Sequence, residues 1–138
     1  MAEAQRSTTV EVAFPGGKRV SARCGAHQVT TDQPVVHGGD DSAPSPFELF
    51  FASLGTCAGY YVLEFCRSRE IPLDGVRMTQ DYTRCPETKR VTDVRLSITV
   101  PPTFPAKYHA AVAQAAGRCA VKKLLEHPPA MDVRVQLG

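Results

Sequence analysis

Two cysteines, Cys57 and Cys119, are the residues of this chain whose types and positions are best suited to chemistry. Cys57 lies within residues 49–63, a stretch that has no charged side chain and is bounded by Glu48 and Glu64. A cysteine reacts as the thiolate, and apolar surroundings oppose its ionisation, so a cysteine in such a stretch is often a small apolar filler. Cys57 is therefore either inert packing or one half of a reactive pair.

Cys119 lies in a different setting, at the first turn of a short helix that is predicted to follow Gly117. The backbone amides at a helix N-terminus point toward such a side chain, and the helix dipole favours a thiolate there. Arg118, Lys122 and Lys123 add positive charge nearby. This setting makes Cys119 a candidate reactive thiol.

The other three cysteines offer no comparable pattern. Cys66 follows Cys57 by nine residues, about 900° of helical rotation, so the two thiols are predicted to face opposite sides of one helix. We therefore expect Cys66 to be a lining residue, and Cys24 and Cys85 to be exposed free thiols. An odd number of cysteines argues against a structural disulfide framework, and no pair has zinc-like spacing, so no metal site is expected.

Length and composition predict one compact domain over residues 1–138. The net charge is +2 and the basic residues are scattered, so neither nucleic acid nor an anionic membrane is indicated as a partner. The first residues contain no apolar segment of a secretory signal. The uncharged run is also shorter than the roughly 18 apolar residues typical of a membrane span. These features predict a cytoplasmic protein.

A long helix is predicted to carry Cys57. Ser45 at the N-cap, Pro46 at the first helical position and Glu48 two residues later form a capping box with the preferred proline. The helix is predicted to end near Glu70, before the proline at position 72. Its first four turns are apolar nearly all round, and one small domain can hardly enclose them, so a partner chain is expected to cover part of the helix.

Gly55 and Gly59 lie four residues apart in the middle of this helix. Glycine inside a helix costs about 1 kcal/mol relative to alanine, so a pair of them suggests a structural reason. We expect close packing against another helix; the alternative is that both glycines are merely tolerated.

The remaining elements follow from alternation, turn residues and proline breaks. Strands are predicted at 8–14, 19–23, 27–31, 74–83, 91–100 and 131–137, a turn-rich loop at 32–44, and helices at 105–116 and 118–126. Strands and helices in this order are typical of an α+β fold.

The segment PSPFELFFASLGTCAGYYV, with the glycine pair 38–39 before it and RCAVKKLL after it, resembles the OsmC/Ohr family of osmotically induced and organic hydroperoxide resistance proteins. The resemblance extends from the first hairpin to the final strand. It implies the OsmC-like fold, an intertwined homodimer in which strands from both chains wrap around two long central helices. Such a dimer would supply the partner chain that the apolar helix requires.

The resemblance also implies a chemistry. Cys57 would attack the O–O bond of an organic hydroperoxide and become a sulfenic acid, Cys119 would condense with it, and an external dithiol would reduce the resulting disulfide. No resident cofactor is implied. Four aromatic side chains would form an apolar wall for the substrate: Phe50, Phe51, Tyr60 and Tyr61.

One part of the family pattern is altered in this sequence. In the peroxidase members a glutamate directly follows the helix-opening proline and pairs with an arginine that activates the thiolate. Here Phe47 takes that place and Glu48 comes one position later, half a helical turn away from Cys57. Glu48 is thus either a catalytic carboxylate or only a capping residue, and Arg19 and Arg84 are candidate partners.

Three functions are compatible with these residues. The first is a thiol-dependent peroxidase that acts on organic hydroperoxides in oxidative stress defence. The second is a non-enzymatic dimer that senses redox state or binds a small apolar ligand, as the missing Glu/Arg pair suggests. The third is a structural dimer whose cysteines are inert.

Overall fold

A computed structural model describes residues 7–138, and within them the fold is α+β, with two small antiparallel sheets and three α-helices. The chain divides into two compact units, Met1–Phe51 and Ala52–Gly138. A single domain over residues 1–138 stays a prediction.

The first unit contains a three-stranded sheet in the order β1-β2-β3. The strands are β1 (Val10–Gly16), β2 (Arg19–Cys24) and β3 (His27–Thr31), each antiparallel to the next. The three predicted strands are therefore confirmed, the first of them shifted by two residues.

The predicted loop after β3 is built around one buried carboxylate. Asp32 is 1% exposed. It accepts hydrogen bonds from the Ser42 hydroxyl at 2.6 Å, and from the backbone amides of Ser42, Gln33 and Asp40. These donors, the Ser42 hydroxyl first, lower the pKa of Asp32 to about 2. A side chain at Gly39 would overlap the Gln33 carbonyl group, so glycine is required there. The loop thus enters the next helix in one fixed conformation.

Helix α1 spans Pro46–Ser68. The predicted start is confirmed, because the Glu48 amide N–H donates to Ser45 Oγ at 3.2 Å. The helix ends two residues before the predicted Glu70, which itself adopts a left-handed conformation with φ 55°. By length and composition alone the complete helix could cross a membrane, although its uncharged run is shorter, and the core helix of a soluble protein meets the same criterion.

The second sheet pairs β4 (Arg77–Arg84) with β5 (Val91–Thr99) in an antiparallel hairpin, with Gln80 opposite Leu96. The predicted hairpin is therefore confirmed. On its α1-facing side, β5 presents the alternating aliphatic residues that the sequence pattern indicated.

The prediction of a helix against Gly55 and Gly59 is wrong for the described chain. A Cβ on Gly55 would lie 3.7 Å from Gln80 Oε1, and one on Gly59 would lie 3.8 Å from Met78 Sδ. Both neighbours belong to β4. The glycines therefore face long side chains of a strand at ordinary contact distance, because α1 rests on the hairpin.

Helix α2 (His109–Ala116) follows a 3-10 turn at Ala106–Tyr108, and helix α3 (Ala120–Glu126) follows with Cys119 at its N-cap. Both predicted helices are confirmed with later starts. The core of this unit is formed by side chains from α1, α2 and the segments before α2 and α3: Leu54, Ala58, Val62, Phe65, Cys66, Phe104, Val112, Ala115, Ala116 and Cys119.

The predicted final strand is wrong for the described chain, because residues 127–138 carry no regular secondary structure beyond α3. Four apolar residues alternate there, and their side chains are 88–101% exposed: Met131, Val133, Val135 and Leu137. A strand exists only where a neighbouring strand completes its hydrogen bonds, and alternation in the sequence does not supply that neighbour.

Candidate active site

The structure brings Cys57 of α1 and Cys119 at the N-cap of α3 together, close enough for each thiol to shift the pKa of the other. Cys57 is half-buried and Cys119 is 1% exposed. Neither thiol is in a disulfide. The pair is therefore in contact and reduced.

The start of α3 stabilises the ionised form of Cys57. The pKa of Cys57 is lowered, first by the backbone N–H of Val121, then by the Cys119 thiol and the N–H of Ala120, while partial burial opposes the shift. Amides at a helix N-terminus carry partial positive charge, which is the usual cause of a lowered thiol pKa. Cys57 is thus the thiol that this geometry favours as a nucleophile.

Cys119 has the opposite character. Its pKa is raised, first by burial and then by the neighbouring Cys57 thiol, although the N–H groups of Lys122 and Val121 act against the shift. The thiol donates to the carbonyl oxygen of Leu54 at 3.8 Å and accepts from the Lys122 amide at 3.5 Å. The sequence linked the α3 N-terminus to a thiolate at Cys119; in the structure the α3 amides act on both thiols, and only the pKa of Cys57 is lowered overall.

The predicted activating residues make the following contacts in the described chain. Glu48 is exposed, and its amide N–H takes part in the cap of α1. Arg19 Nε donates to the Gly16 carbonyl oxygen at 3.3 Å. Arg84 pairs with Val91 across the β4–β5 hairpin. Every group that lowers the Cys57 pKa belongs to the segment 119–121 instead.

The remaining three cysteines have different surroundings. Cys66 is fully buried, as expected of a lining residue, and burial raises its pKa. Cys24 is exposed, as expected. Cys85 is only half-exposed, and its pKa is lowered by the Thr88 hydroxyl and by the amides of Thr88 and Glu87, a tight-turn arrangement that the sequence did not indicate.

The four aromatic residues predicted as an apolar wall form two edge-to-face pairs. The rings of Phe50 and Phe51 have centroids 5.5 Å apart, and those of Tyr60 and Tyr61 are 5.6 Å apart. Phe51 is buried, whereas Tyr60 is 56% exposed. In residues 7–138 no three His, Cys, Asp or Glu side chains are grouped so that they could hold a metal ion.

A cavity of about 480 Å³ lies beside Cys119, within the second unit. Its walls are mainly aliphatic side chains of α1, β5 and α2, with Leu96 and Val112 among them. Lys122 and Leu125 of α3 form part of the wall, and Cys119 lies on it as well. The volume and the apolar walls are those of a small-molecule site.

The chain thus combines an α+β fold with two neighbouring thiols whose pKa values are shifted in opposite directions. A model of the family described as OsmC-like protein matches residues 39–134. The chain therefore belongs to the OsmC-like protein family, and the resemblance seen in the sequence is confirmed.

Solved structures have the same fold. An osmotic stress induced and detoxification response protein from Psychrobacter arcticus is 27% identical, with a TM-score of 0.72 over 88% of this chain and 90% of its own. An OsmC-like protein from Mycoplasma pneumoniae is 13% identical, with a TM-score of 0.68 over 91% of each chain. An organic hydroperoxide resistance protein OsmC from Legionella pneumophila is 20% identical, with a TM-score of 0.55 over 89% and 91%. No curated protein matches the chain.

Proposed function

We propose that this protein is a thiol-dependent peroxidase that reduces organic hydroperoxides through Cys57 and Cys119 in oxidative stress defence. The observation that carries the proposal is the contact between a thiol with a lowered pKa and a buried thiol with a raised pKa. The first thiol is suited to attack as a thiolate. The second stays protonated until it condenses with the sulfenic acid. The names of solved relatives from Legionella pneumophila and Vibrio cholerae, both organic hydroperoxide resistance proteins, are in keeping with this chemistry.

The reaction proceeds in three steps. The Cys57 thiolate attacks the terminal peroxide oxygen, the O–O bond breaks, and the departing alkoxide takes a proton to leave as an alcohol. Cys57 is then a sulfenic acid, and the Cys119 sulfur displaces its hydroxyl group as water to form the disulfide. An external dithiol, our proposed reductant, restores both thiols by two exchange reactions and is itself oxidised to a disulfide.

Thiolate activation in this proposal comes from the α3 amides and the Cys119 thiol. They supply positive electrostatic potential at Cys57, which in other family members is the role of a glutamate–arginine pair. A catalytic role for Glu48 stays a prediction, since its described contact is with the helix cap. No resident cofactor enters any step.

We also propose that the working form is a homodimer in the cytoplasm. Only 33% of the most apolar window of α1 is buried within one chain, which leaves apolar surface for a second copy to cover. The exposed alternating residues of the C-terminal segment offer a further surface of this kind. Five free cysteines are in keeping with a reducing compartment.

The test is organic hydroperoxide consumption with a small dithiol as reductant, together with peptide mapping after one equivalent of peroxide. We expect turnover, and a single disulfide between Cys57 and Cys119. Cys24→Ser is the matched control, because Cys24 is an exposed thiol with no role in the proposed chemistry and its loss should leave turnover unchanged. Both thiols found free after peroxide treatment would contradict the proposal.

The cavity beside Cys119 favours a second candidate, a non-enzymatic dimer that binds a small apolar ligand or senses redox state. In that case peroxide would be consumed no faster than by a free thiol such as N-acetylcysteine, while an apolar probe would still bind. Measuring both properties on one sample separates the two functions.

A further inference from the structure

Helix α3 is held in place in an unusual way. It has seven residues, and no residue within it is buried. Isolated helices shorter than about 12 residues are marginal in water, so α3 needs support from outside its own sequence. Its N-cap residue, Cys119, is 1% exposed and provides the buried attachment at this end.

The Cys57 and Cys119 sulfurs lie beside the first-turn amides of α3. The Lys123 amide makes the first bond within the helix, to the Cys119 carbonyl oxygen at 3.1 Å, which leaves the three preceding amides without helical partners. Lys122 donates to Cys119 Sγ at 3.5 Å. The amides of Val121 and Ala120 lower the pKa of Cys57, so they lie beside its thiol. The first turn of α3 is therefore placed against the two thiols, with the Lys122 amide bonded to Cys119.

A further bond joins this cap to α1. The Cys119 thiol donates its proton to the carbonyl oxygen of Leu54. Leu54 lies on the wall of the aliphatic cavity, as do Lys122 and Leu125 of α3. The reduced thiols thus hold in place the helix that closes part of this cavity.

We propose that α3 is a redox-controlled lid, closed over the cavity while Cys57 and Cys119 are reduced and loosened when they form a disulfide. Oxidation by an organic hydroperoxide rests on the proposed function, whereas the dependence of α3 on the reduced sulfurs rests on the contacts alone.

The chemistry of disulfide formation removes the contacts that hold the lid. The peroxide accepts two electrons from the two thiols and leaves as an alcohol and water, which carry away both thiol protons, and one S–S bond replaces the two S–H bonds. The thiol proton that bonded Leu54 is lost. Forming the S–S bond brings the two sulfurs to about 2.05 Å, so Cys119 Sγ moves away from the position in which it accepts the Lys122 amide N–H.

Loosening of α3 has a consequence for binding. Lys122 and Leu125 leave the wall while the β5 and α2 residues remain, so the aliphatic floor becomes accessible to a larger apolar molecule. The oxidised protein would therefore bind apolar compounds that the reduced protein excludes. Exposure to peroxide would in this way change the apolar area that the protein offers to ligands.

Hydrogen exchange tests the lid directly in the full-length protein. Amides 120–126 are compared in the reduced protein, in the peroxide-treated protein and in a sample whose disulfide is formed with diamide, a general thiol oxidant. We expect exchange of these amides to accelerate at least fivefold in both oxidised samples. The amides of α2 are the internal standard, because Val112, Ala115 and Ala116 anchor that helix in the core.

Two reduced variants separate capping from oxidation. Cys119→Ala removes the cap and should accelerate α3 exchange about fivefold without any oxidant, the usual size of an N-cap loss. Cys119→Ser replaces the thiol by a preferred capping group and should keep α3 protected. Circular dichroism of both variants verifies that the fold is retained.

The apolar dye 8-anilinonaphthalene-1-sulfonate provides the binding readout. We expect stronger fluorescence with oxidised wild-type protein and with reduced Cys119→Ala than with reduced wild-type protein. Peroxide-treated Cys57→Ser, which cannot form the disulfide, should resemble the reduced wild type.

The outcomes are distinguishable. A mapped Cys57–Cys119 disulfide with unchanged α3 exchange overturns the lid and leaves the peroxidase proposal intact. If the disulfide forms with diamide but not with peroxide, the peroxidase proposal is contradicted. The lid proposal is then tested on the diamide-treated sample alone. Wild-type protection of α3 in Cys119→Ala overturns the lid whatever the oxidant does.

Discussion

Cys57 and Cys66 lie on the same helix, nine residues apart, and differ in every property that governs thiol reactivity. Cys57 is half-buried and has a lowered pKa, whereas Cys66 is fully buried and has a raised pKa. The cause is what faces each thiol. The first turn of α3 donates amides to Cys57, while the surroundings of Cys66 desolvate it, and Arg69 opposes that effect only in part.

The comparison shows that an apolar helix does not by itself silence a cysteine. Burial raises the pKa at both positions, and at Cys57 the hydrogen bonds from α3 outweigh that effect. A reactive thiol can therefore be built into an uncharged helix when polar backbone groups come from a neighbouring element.

The largest expected difference between the two thiols is in turnover. Cys57→Ser should reduce organic hydroperoxide consumption to the rate of buffer with dithiol alone, because the nucleophile is gone. Cys66→Ala should retain wild-type turnover, since Cys66 faces the opposite side of α1. Steady-state assays of both variants, normalised to folded protein, measure the difference. Activity retained by Cys57→Ser would show that another thiol is the nucleophile.

The second-largest expected difference is in the pH dependence of alkylation of the two thiols. Iodoacetamide reacts with an accessible thiolate, so Cys57 should react along a titration curve below the ordinary thiol pKa, whereas Cys66, which is fully buried and has a raised pKa, should react little in the folded protein. Each pKa unit changes the thiolate fraction about tenfold at neutral pH. Mass spectrometry of the modified peptides gives both curves. Equal curves would contradict the electrostatic account of the pair.

Removal of single α3 amides should give a smaller, graded effect. Val121→Pro deletes the N–H that contributes most to the lowered Cys57 pKa, and proline is tolerated in the first turn of a helix. The Cys57 pKa should rise, so that less thiolate is present at neutral pH. Ala120→Pro is the matched variant, since the Ala120 amide contributes less and should produce a smaller rise. The reverse order would show that the amides are not the cause.

The smallest expected difference is in stability. Cys66→Ala should lower the free energy of unfolding by about 1 kcal/mol, because it removes a fully buried side-chain atom from the core. Cys57→Ala should cost less, since Cys57 is only partly buried. Urea denaturation of both variants measures the two values. A larger loss for Cys57→Ala would indicate that the α3 contacts stabilise the fold as well as the thiolate.

Local signals in the sequence were sufficient for much of the fold. The Ser45 cap and the following proline set the start of α1, and alternation with turn residues set the β4–β5 hairpin. Helical periodicity placed Cys66 away from Cys57, and its burial agrees with that placement. Each of these features depends on residues close together in the chain.

Features that depend on distant neighbours were not predictable in the same way. The element that faces Gly55 and Gly59 is β4 and not a helix. Helical periodicity shows which residues share a face, but it does not show which element packs against that face. The alternating C-terminal segment forms no strand in the described chain, since a strand needs an edge to pair with. The turn around Cys85 carries no distinctive sequence pattern.

The sequence by itself determined the membership of Cys57 in a long apolar helix, the position of Cys119 at the start of a short one, and the family to which these segments belong. Only the tertiary structure decided which of the two thiols the α3 amides favour as a thiolate. Those amides precede the hydrogen-bonded part of α3, so they are free to bond any sulfur that packing brings near. The contact of Cys119, the N-cap of α3, with Leu54 of α1 brings Cys57, 62 residues before Cys119 in the chain, to that position.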